Sequence, residues 1–147
     1  MKAVVQRVKS ASVKIDGQIH GAISKGLLVL LGVKEGDNDE LISWFANKLV
    51  NLRVFPDEEG KMNRSVLDIE GEILLIPNFT LYGDTNKGYR PSFSKAAKPE
   101  ISKPIYEKLL AFLRANNPLK IEAGVFGAMM DVELINDGPV TVIIEKN

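Results

Sequence analysis

Gly26-Leu27-Leu28-Val29-Leu30-Leu31-Gly32-Val33 is a continuous apolar run punctuated by glycines near both ends. It is too short for a whole buried helix and has the length of a strand covered on both faces. Gly71-Glu72-Ile73-Leu74-Leu75-Ile76 is a second buried-strand candidate, and it leads directly into Pro77-Asn78-Phe79-Thr80-Leu81. Upstream of both, Val4, Val5 and Val8 begin a β-branched stretch that continues through Val13 and Ile15. Asp16-Gly17 offers a hairpin turn before Ile19.

Helical spacing takes over after the first run. Asp37, three residues before Glu40, makes a cap signature. Leu41, Phe45, Leu49 and Leu52 then recur on one face, leaving Lys48 and Asn51 for solvent. Asp57-Glu58-Glu59-Gly60 reads as a turn, and residues 83–98 show no period. A second helix is expected to start between Ile101 and Pro104, with Pro104 in its first turn, and to run to about Ala115. Ile105, Leu109, Phe112 and Leu113 form its apolar face, and Asn116-Asn117-Pro118 stops it. Residues 121–126, 132–135 and 140–145 read as closing strands, the last two joined by Asn136-Asp137-Gly138-Pro139. This order predicts one α+β domain spanning 1–147: a mostly antiparallel, barrel-like β core with two packed helices.

The composition fits that reading. A chain of 147 residues, 45% hydrophobic and 26% charged, can bury a sizeable core and does not look disordered. Nineteen basic and nineteen acidic residues cancel, which argues against coating nucleic acid through bulk charge but leaves a local basic patch open. With no cysteine and one histidine, disulfides, zinc fingers and thiol nucleophiles have nothing to build on. Met1-Lys2-Ala3-Val4-Val5-Gln6-Arg7 turns polar too soon for a signal peptide, and the run at 26–33 is too short to cross a bilayer. A cytoplasmic protein with no membrane partner is expected.

The usual catalytic side chains do not assemble. A serine or threonine triad needs a histidine base, and His20, in Gln18-Ile19-His20-Gly21, reads as a surface strand residue. Carboxylates are plentiful, but none sits in an apolar stretch that would raise its pKa. Any enzyme made from this chain works without a strong side-chain base.

Two segments carry a family resemblance. Pro77-Asn78-Phe79-Thr80-Leu81-Tyr82 resembles the Ser-Gln-Phe-Thr-Leu active-site motif of D-aminoacyl-tRNA deacylases, changed at its first two places. Asn136-Asp137-Gly138-Pro139-Val140-Thr141 resembles that family's Gly-cisPro motif without change. Gln6-Arg7-Val8, Gly60-Lys61-Met62-Asn63, Lys87-Gly88-Tyr89-Arg90-Pro91-Ser92-Phe93 and Gly124-Val125-Phe126-Gly127-Ala128-Met129-Met130 fall around them in the family's order.

The resemblance implies a homodimer with two active sites at the subunit interface, tRNA as partner, and neither cofactor nor metal. Gly138 and Pro139 of one subunit would enter the other's pocket, facing the amino-acid end of the substrate. On residues alone, a trans Gly-Pro closing a hairpin is the competing reading. The catalytic segment would be Asn78, Phe79 and Thr80. An aminoacyl ester is already activated, so its hydrolysis needs mainly orientation and donors for the developing oxyanion, which backbone N–H groups near Phe79 and Thr80 would supply. The neighbouring ribose hydroxyl would assist proton movement. The Thr80 hydroxyl is either a nucleophile or a local backbone partner. Arg7 would brace the Gly-Pro loop, or be a plain surface charge. Ala128, Met129 and Met130 would line the pocket, with ordinary core packing as the alternative for a methionine. Lys87, Arg90, Lys95 and Lys98 would meet tRNA phosphates, or be scattered charges on a solvated loop.

A rigid backbone wall is well suited to telling mirror-image amino acids apart. It blocks one arrangement at the α-carbon by steric exclusion without reading the side chain, so many D-residues should be accepted and glycine should leak through. Pro77 and Asn78 depart from Ser-Gln: the amide is one methylene shorter and a backbone donor is lost. A sister group of tRNA deacylases with relaxed chirality, acting on small L-amino acids, also has proline at the first place, with a trans Gly-Pro bond. That activity, and a non-enzymatic RNA-binding β-rich module, are the two rivals. The ten Phe, Trp and Tyr residues speak against a general stacking surface.

Overall fold

The computed structural model describes residues 1–147. Strands β1 (Lys2–Ile15), β2 (Gln18–Ile23) and β3 (Gly26–Gly32) come first, then helix α1 (Glu40–Asn51). A small ribbon of β4 (Phe55–Pro56) and β5 (Met62–Arg64) follows. Next come β6 (Glu72–Pro77), a 3-10 turn (Phe79–Tyr82), α2 (Pro99–Asn116), β7 (Ile121–Ala123) and β8 (Asp131–Glu145).

β1 organises the main sheet. On one side its first half pairs with β3 and its second half with β2; on the other side it runs antiparallel to β8. β6 joins β3 in parallel and β7 joins β6 in parallel. Most of the ladder is therefore antiparallel, with a parallel margin, and β2 curls back over β7. Gly21 makes that approach possible, since a Cβ there would lie 3.2–3.4 Å from Glu122 and the Ala123 carbonyl.

The two apolar runs are buried strands, and alternation sends their side chains to different places. Leu27, Val29, Leu31, Ile73 and Leu75 pack under the helices with Phe45, Leu49, Leu109 and Leu113. Leu28, Leu74 and Ile76 join Val8, Ala11, Val13 and Ile23 in a smaller cluster on the opposite face.

Four details differ from the sequence reading, each for a local reason. α1 is capped from Asp39, and the Asn38 carboxamide oxygen accepts the Glu40 N–H at 2.9 Å. Asp37 does not cap because its carboxylate is taken by the Met1 ammonium at 2.6 Å, a stronger partner than a helix N–H, and by the Lys34 N–H at 2.7 Å. α2 begins at Pro99, where the Lys98 carbonyl accepts the N–H groups of Ile101 and Ser102 at 2.9 Å. Pro104 thus lies inside the helix, on its exposed face, where water can reach the carbonyl it leaves free. β7 stops at Ala123 because the next donor along β6 would be Pro77, which has no N–H; the Tyr106 hydroxyl meets the Gly124 carbonyl instead at 2.8 Å, with the Leu75 carbonyl at 3.2 Å. Burial holds that phenol above its usual pKa, so it stays a donor.

The fourth difference concerns the end of the chain. Residues 132–135 and 140–145 are not two strands folded on each other. They run in one direction along β1 as the single strand β8. No helix is long and apolar enough to cross a membrane.

Candidate active site

β8 keeps step with β1 except at one place. Gln6 pairs with Thr141 and Val8 with Asn136, so residues 137–140 stand opposite Arg7 alone. Four residues facing one must leave the sheet, and they form a protruding bulge. Gly138 sits at φ +128°, outside the range of ordinary L-residues, and a Cβ there would lie 3.0 Å from Arg7 Nη2 and from Val140 Cγ2. The Gly138–Pro139 peptide, for which cis and trans were both open, is cis, and both residues are exposed.

The bulge is braced from three directions. Arg7 Nε donates to the Asp137 carbonyl at 3.1 Å, with the Asp137 carboxylate at 3.4 Å. Arg7 Nη1 donates to the Val54 carbonyl at 2.7 Å, tying the bulge to the segment after α1. Asn136 spans the bulge: its Oδ1 accepts the Val140 N–H at 3.0 Å and its Nδ2 donates to Thr141 Oγ1 at 3.1 Å. Arg7, largely buried, is thus no plain surface charge.

The other half of the apparatus lies where β6 ends. Asn78 N–H donates to the Leu31 carbonyl at 2.7 Å, after which the chain turns through Phe79–Tyr82. The N–H groups of Phe79 and Thr80 donate to no protein acceptor, as expected of the first donors of a helical turn. The Thr80 hydroxyl donates to Asn78 Oδ1 at 2.6 Å, and no base stands beside it. Phe79 is 55% exposed and meets Phe93 edge-on, with ring centroids 5.3 Å apart.

A cleft of about 350 Å³ opens here, with Pro77, Asn78 and Phe79 on one wall and Gly127, Ala128 and Met129 on the other. Its floor is Leu30, Ile76, Met130 and Val132, from the smaller apolar cluster and its partners. Gly124 lets the far wall close, since a Cβ there would lie 2.6 Å from Met130 Sδ and 3.1 Å from Ile76 Cδ1. A larger hollow of about 490 Å³ beside Trp44 and Arg53 contains none of the expected residues, so size does not choose between them.

Asn78, Phe79, Ala128 and Met129 therefore share one cleft with Thr80 adjoining it, while Arg7, Gly138 and Pro139 form a separate bulge. Within one chain, none of Arg7, Gly138 and Pro139 lines the cleft. The four expected tRNA contacts also divide. Lys95 pairs with Asp84 at 3.0 Å, and the Lys98 backbone caps α2. Lys87 and Arg90 enter no ion pair and are exposed on the loop between the bridged residues Asp84 and Ser92. His20 is exposed on β2, as its sequence context suggested. The bracing by Asn136 and Val54 and the floor residues Leu30, Ile76 and Val132 were not foreseen, whereas Met130 was expected in the pocket; Asn136 alone had a signal, as a carboxamide two places before the glycine.

Comparison with known proteins shows the family to which the chain is similar. The family model described as D-Tyr-tRNA(Tyr) deacylase matches residues 4–145. A protein named D-aminoacyl-tRNA deacylase from an Exiguobacterium species is 53% identical over 147 residues, covering 100% of this chain and 99% of its own. One of the same name from Thermosipho africanus is 54% identical over 146 residues, covering 99% and 97%. Among solved structures, one described as c-Myc DNA Unwinding Element Binding Protein superposes with a TM-score of 0.94 at 42% identity, covering 100% and 99%. A probable eukaryotic D-amino acid tRNA deacylase superposes at 0.80 with 16% identity, covering 97% of each chain, a likeness of fold.

Proposed function

The chain belongs to the D-Tyr-tRNA(Tyr) deacylase family, and on that premise we propose that it hydrolyses the ester of D-aminoacyl-tRNA in the cytoplasm. The products are free tRNA and the D-amino acid, which removes wrongly charged tRNA before translation uses it. The carrying observation is the separation of cleft and bulge. At the cleft's edge two N–H groups, those of Phe79 and Thr80, are unengaged beside an exposed aromatic ring, while a braced, exposed backbone wall stands outside it. A second copy of the chain brings them together. β8 has β1 on one edge only, and Ile135 and Ile143 are exposed along it, so an apolar strand is free to meet its equivalent.

In that homodimer, the partner's Gly138 and Pro139 face the α-carbon of the bound aminoacyl group. The Phe79 and Thr80 N–H groups receive the carbonyl oxygen as negative charge develops on it. Water attacks, and the neighbouring ribose hydroxyl takes part in proton movement because no protein base is in reach. Asn78 and Thr80 fix the turn through their hydrogen bond, and Ala128 and Met129 cover the opposite wall. Arg7 keeps the bulge in place. Phosphates of the tRNA meet Lys87 and Arg90, with Lys95 and Lys98 farther along the chain.

Purified protein should hydrolyse D-tyrosyl-tRNA and, more slowly, glycyl-tRNA, while leaving L-tyrosyl-tRNA intact. Equal resistance of the glycyl and L-tyrosyl esters would remove the steric basis for selection. Assembly has its own test. Phe79→Ala and Gly138→Val proteins, each impaired, should regain activity when mixed and allowed to exchange subunits, because one intact cleft then meets one intact bulge. No recovery after proven exchange would mean that both elements act within a single protomer.

A further inference from the structure

Tyr89 is fully exposed at the far end of the loop that joins Asp84 to Ser92. A tyrosine with no packing partner is unusual, because its ring normally gains by burial. The loop is nevertheless held in shape. Asp84 and Ser92 exchange backbone hydrogen bonds at 2.7 and 2.9 Å, and Asp84 Oδ1 accepts the Asn86 N–H at 3.0 Å. Lys95 pins the same carboxylate at 3.0 Å, and Gly88 makes the turn at φ +65°. The ring is therefore presented on an ordered support, flanked by the unpaired cations Lys87 and Arg90. Beyond Ser92, Phe93 packs against Phe79 of the cleft, so the same loop connects cleft and ring.

On the deacylase reading above, we propose that Tyr89 is a stacking platform for an unpaired base near the 3′ end of the tRNA, with Lys87 and Arg90 holding the adjoining phosphates. An exposed aromatic face between free cations is the arrangement that binds single-stranded nucleic acid without reading its sequence. The distances agree. Phe93 lies four residue steps beyond Tyr89, a span of at most about 14 Å, and stacked nucleotides advance about 3.4 Å each. The platform thus lies within a few nucleotides of the ester. Tyr89 is accordingly a positioning residue that acts on substrate affinity and never touches the reacting atoms.

Steady-state kinetics on D-tyrosyl-tRNA and on the minimal ester D-tyrosyl-adenosine separate this role from a structural one. Tyr89→Ala should raise KM for D-tyrosyl-tRNA at least about fivefold, the loss of one stacked base, with kcat and the minimal ester unaffected. Tyr89→Phe and Tyr89→Trp should restore the affinity, and Tyr89→Leu should not. Lys87→Gln and Arg90→Gln should each flatten the dependence of log KM on log salt by about 0.7. Direct binding gives a readout independent of catalysis. An uncharged RNA hairpin with 2-aminopurine in its 3′ overhang should lose fluorescence on the parent protein and keep it on Tyr89→Ala. Equal damage to both esters, full affinity in Tyr89→Leu, unchanged 2-aminopurine quenching, or a monomeric Tyr89→Ala protein would each overturn the proposal. The last result would assign the ring to a second copy of the chain. Failure of the parent to cleave D-tyrosyl-tRNA would instead overturn the deacylase reading, and the quenching assay would still decide whether Tyr89 stacks.

Discussion

On one face of β3 and β6, Leu27, Val29, Leu31, Ile73 and Leu75 lie beneath two helices with Phe45 and Leu109 against them, all but closed to water. On the other face, Leu28, Leu74 and Ile76 belong to a smaller cluster, and the cover above them stops short. Leu30, Met130 and Val132 are only partly buried there, Phe79 is more than half exposed, and Met129 is 91% exposed. The residue types are alike on both faces; what differs is whether this chain supplies the lid. The helix-covered face is finished by α1 and α2 and carries stability. On the proposed reading, the open face is left for a substrate and a neighbour, and it carries function.

That contrast can be broken by paired substitutions. Phe45→Ala removes a fully buried ring on the closed face and should lower stability by about 3–5 kcal/mol, read by urea unfolding. Phe79→Ala removes a ring of the same size on the open face and should cost under about 1 kcal/mol, yet lower kcat/KM for D-tyrosyl-tRNA tenfold or more. Similar unfolding midpoints for the two variants would show that the faces are not divided as described.

Gly138→Val sharpens the functional side of the division. A side chain at φ +128°, against Arg7 and Val140, must displace the bulge by an ångström or so. A misplacement of that size is expected to lower kcat/KM about a hundredfold, while the strained φ should cost about 1–3 kcal/mol of stability, less than the Phe45→Ala loss. Arg7→Ala should act in the same direction but more gently. It frees the Asp137 carbonyl and the tether to Val54 while leaving the glycine in place. The readout is the ratio of D- to L-tyrosyl-tRNA hydrolysis, which should shrink about tenfold, the effect of roughly one charge-assisted hydrogen bond. An unchanged ratio would reduce Arg7 to a stabilising contact.

The closed face was the more legible of the two. Its strands are continuous apolar runs and its helices show a 3.6-residue period, so Phe45, Leu49, Ile105, Leu109 and Leu113 could be placed from spacing alone. Errors fell where a distant group took over a local one. Asp37 was drawn from its capping position by the chain's own ammonium, and β7 ended where Pro77 of its neighbour had no N–H to offer, leaving the Gly124 carbonyl to Tyr106. The open face was legible only through resemblance. Asn136-Asp137-Gly138-Pro139 has the composition of a hairpin turn, and nothing local reveals that the strand resumes in the same direction. That outcome is set by β1, which pairs with both flanks and leaves Arg7 alone across from the four residues between them. Arg7 and Asp137 are far apart in sequence, so no window of residues contains their contact. The cleft floor was hidden for a related reason: Leu30 and Ile76 look like core in the sequence, and they both pack in the smaller cluster and line the cleft.

Thr80 gives the smallest expected effect and the sharpest test of the chemistry. Its hydroxyl proton is directed at Asn78 Oδ1, the pair is exposed, and no histidine, lysine or carboxylate stands ready to accept that proton. If the hydroxyl only steadies the turn, Thr80→Val removes one exposed hydrogen bond. At roughly 0.5–1 kcal/mol this should lower kcat by no more than about fivefold. If the hydroxyl is the nucleophile, the same substitution should lower kcat by several orders of magnitude, as removal of a catalytic nucleophile does elsewhere. Single-turnover hydrolysis of D-tyrosyl-tRNA covers that whole range. A small change leaves water as the attacking group and the backbone N–H groups of the Phe79 turn as the stabilising element, so that the open face works through its main chain rather than its side chains.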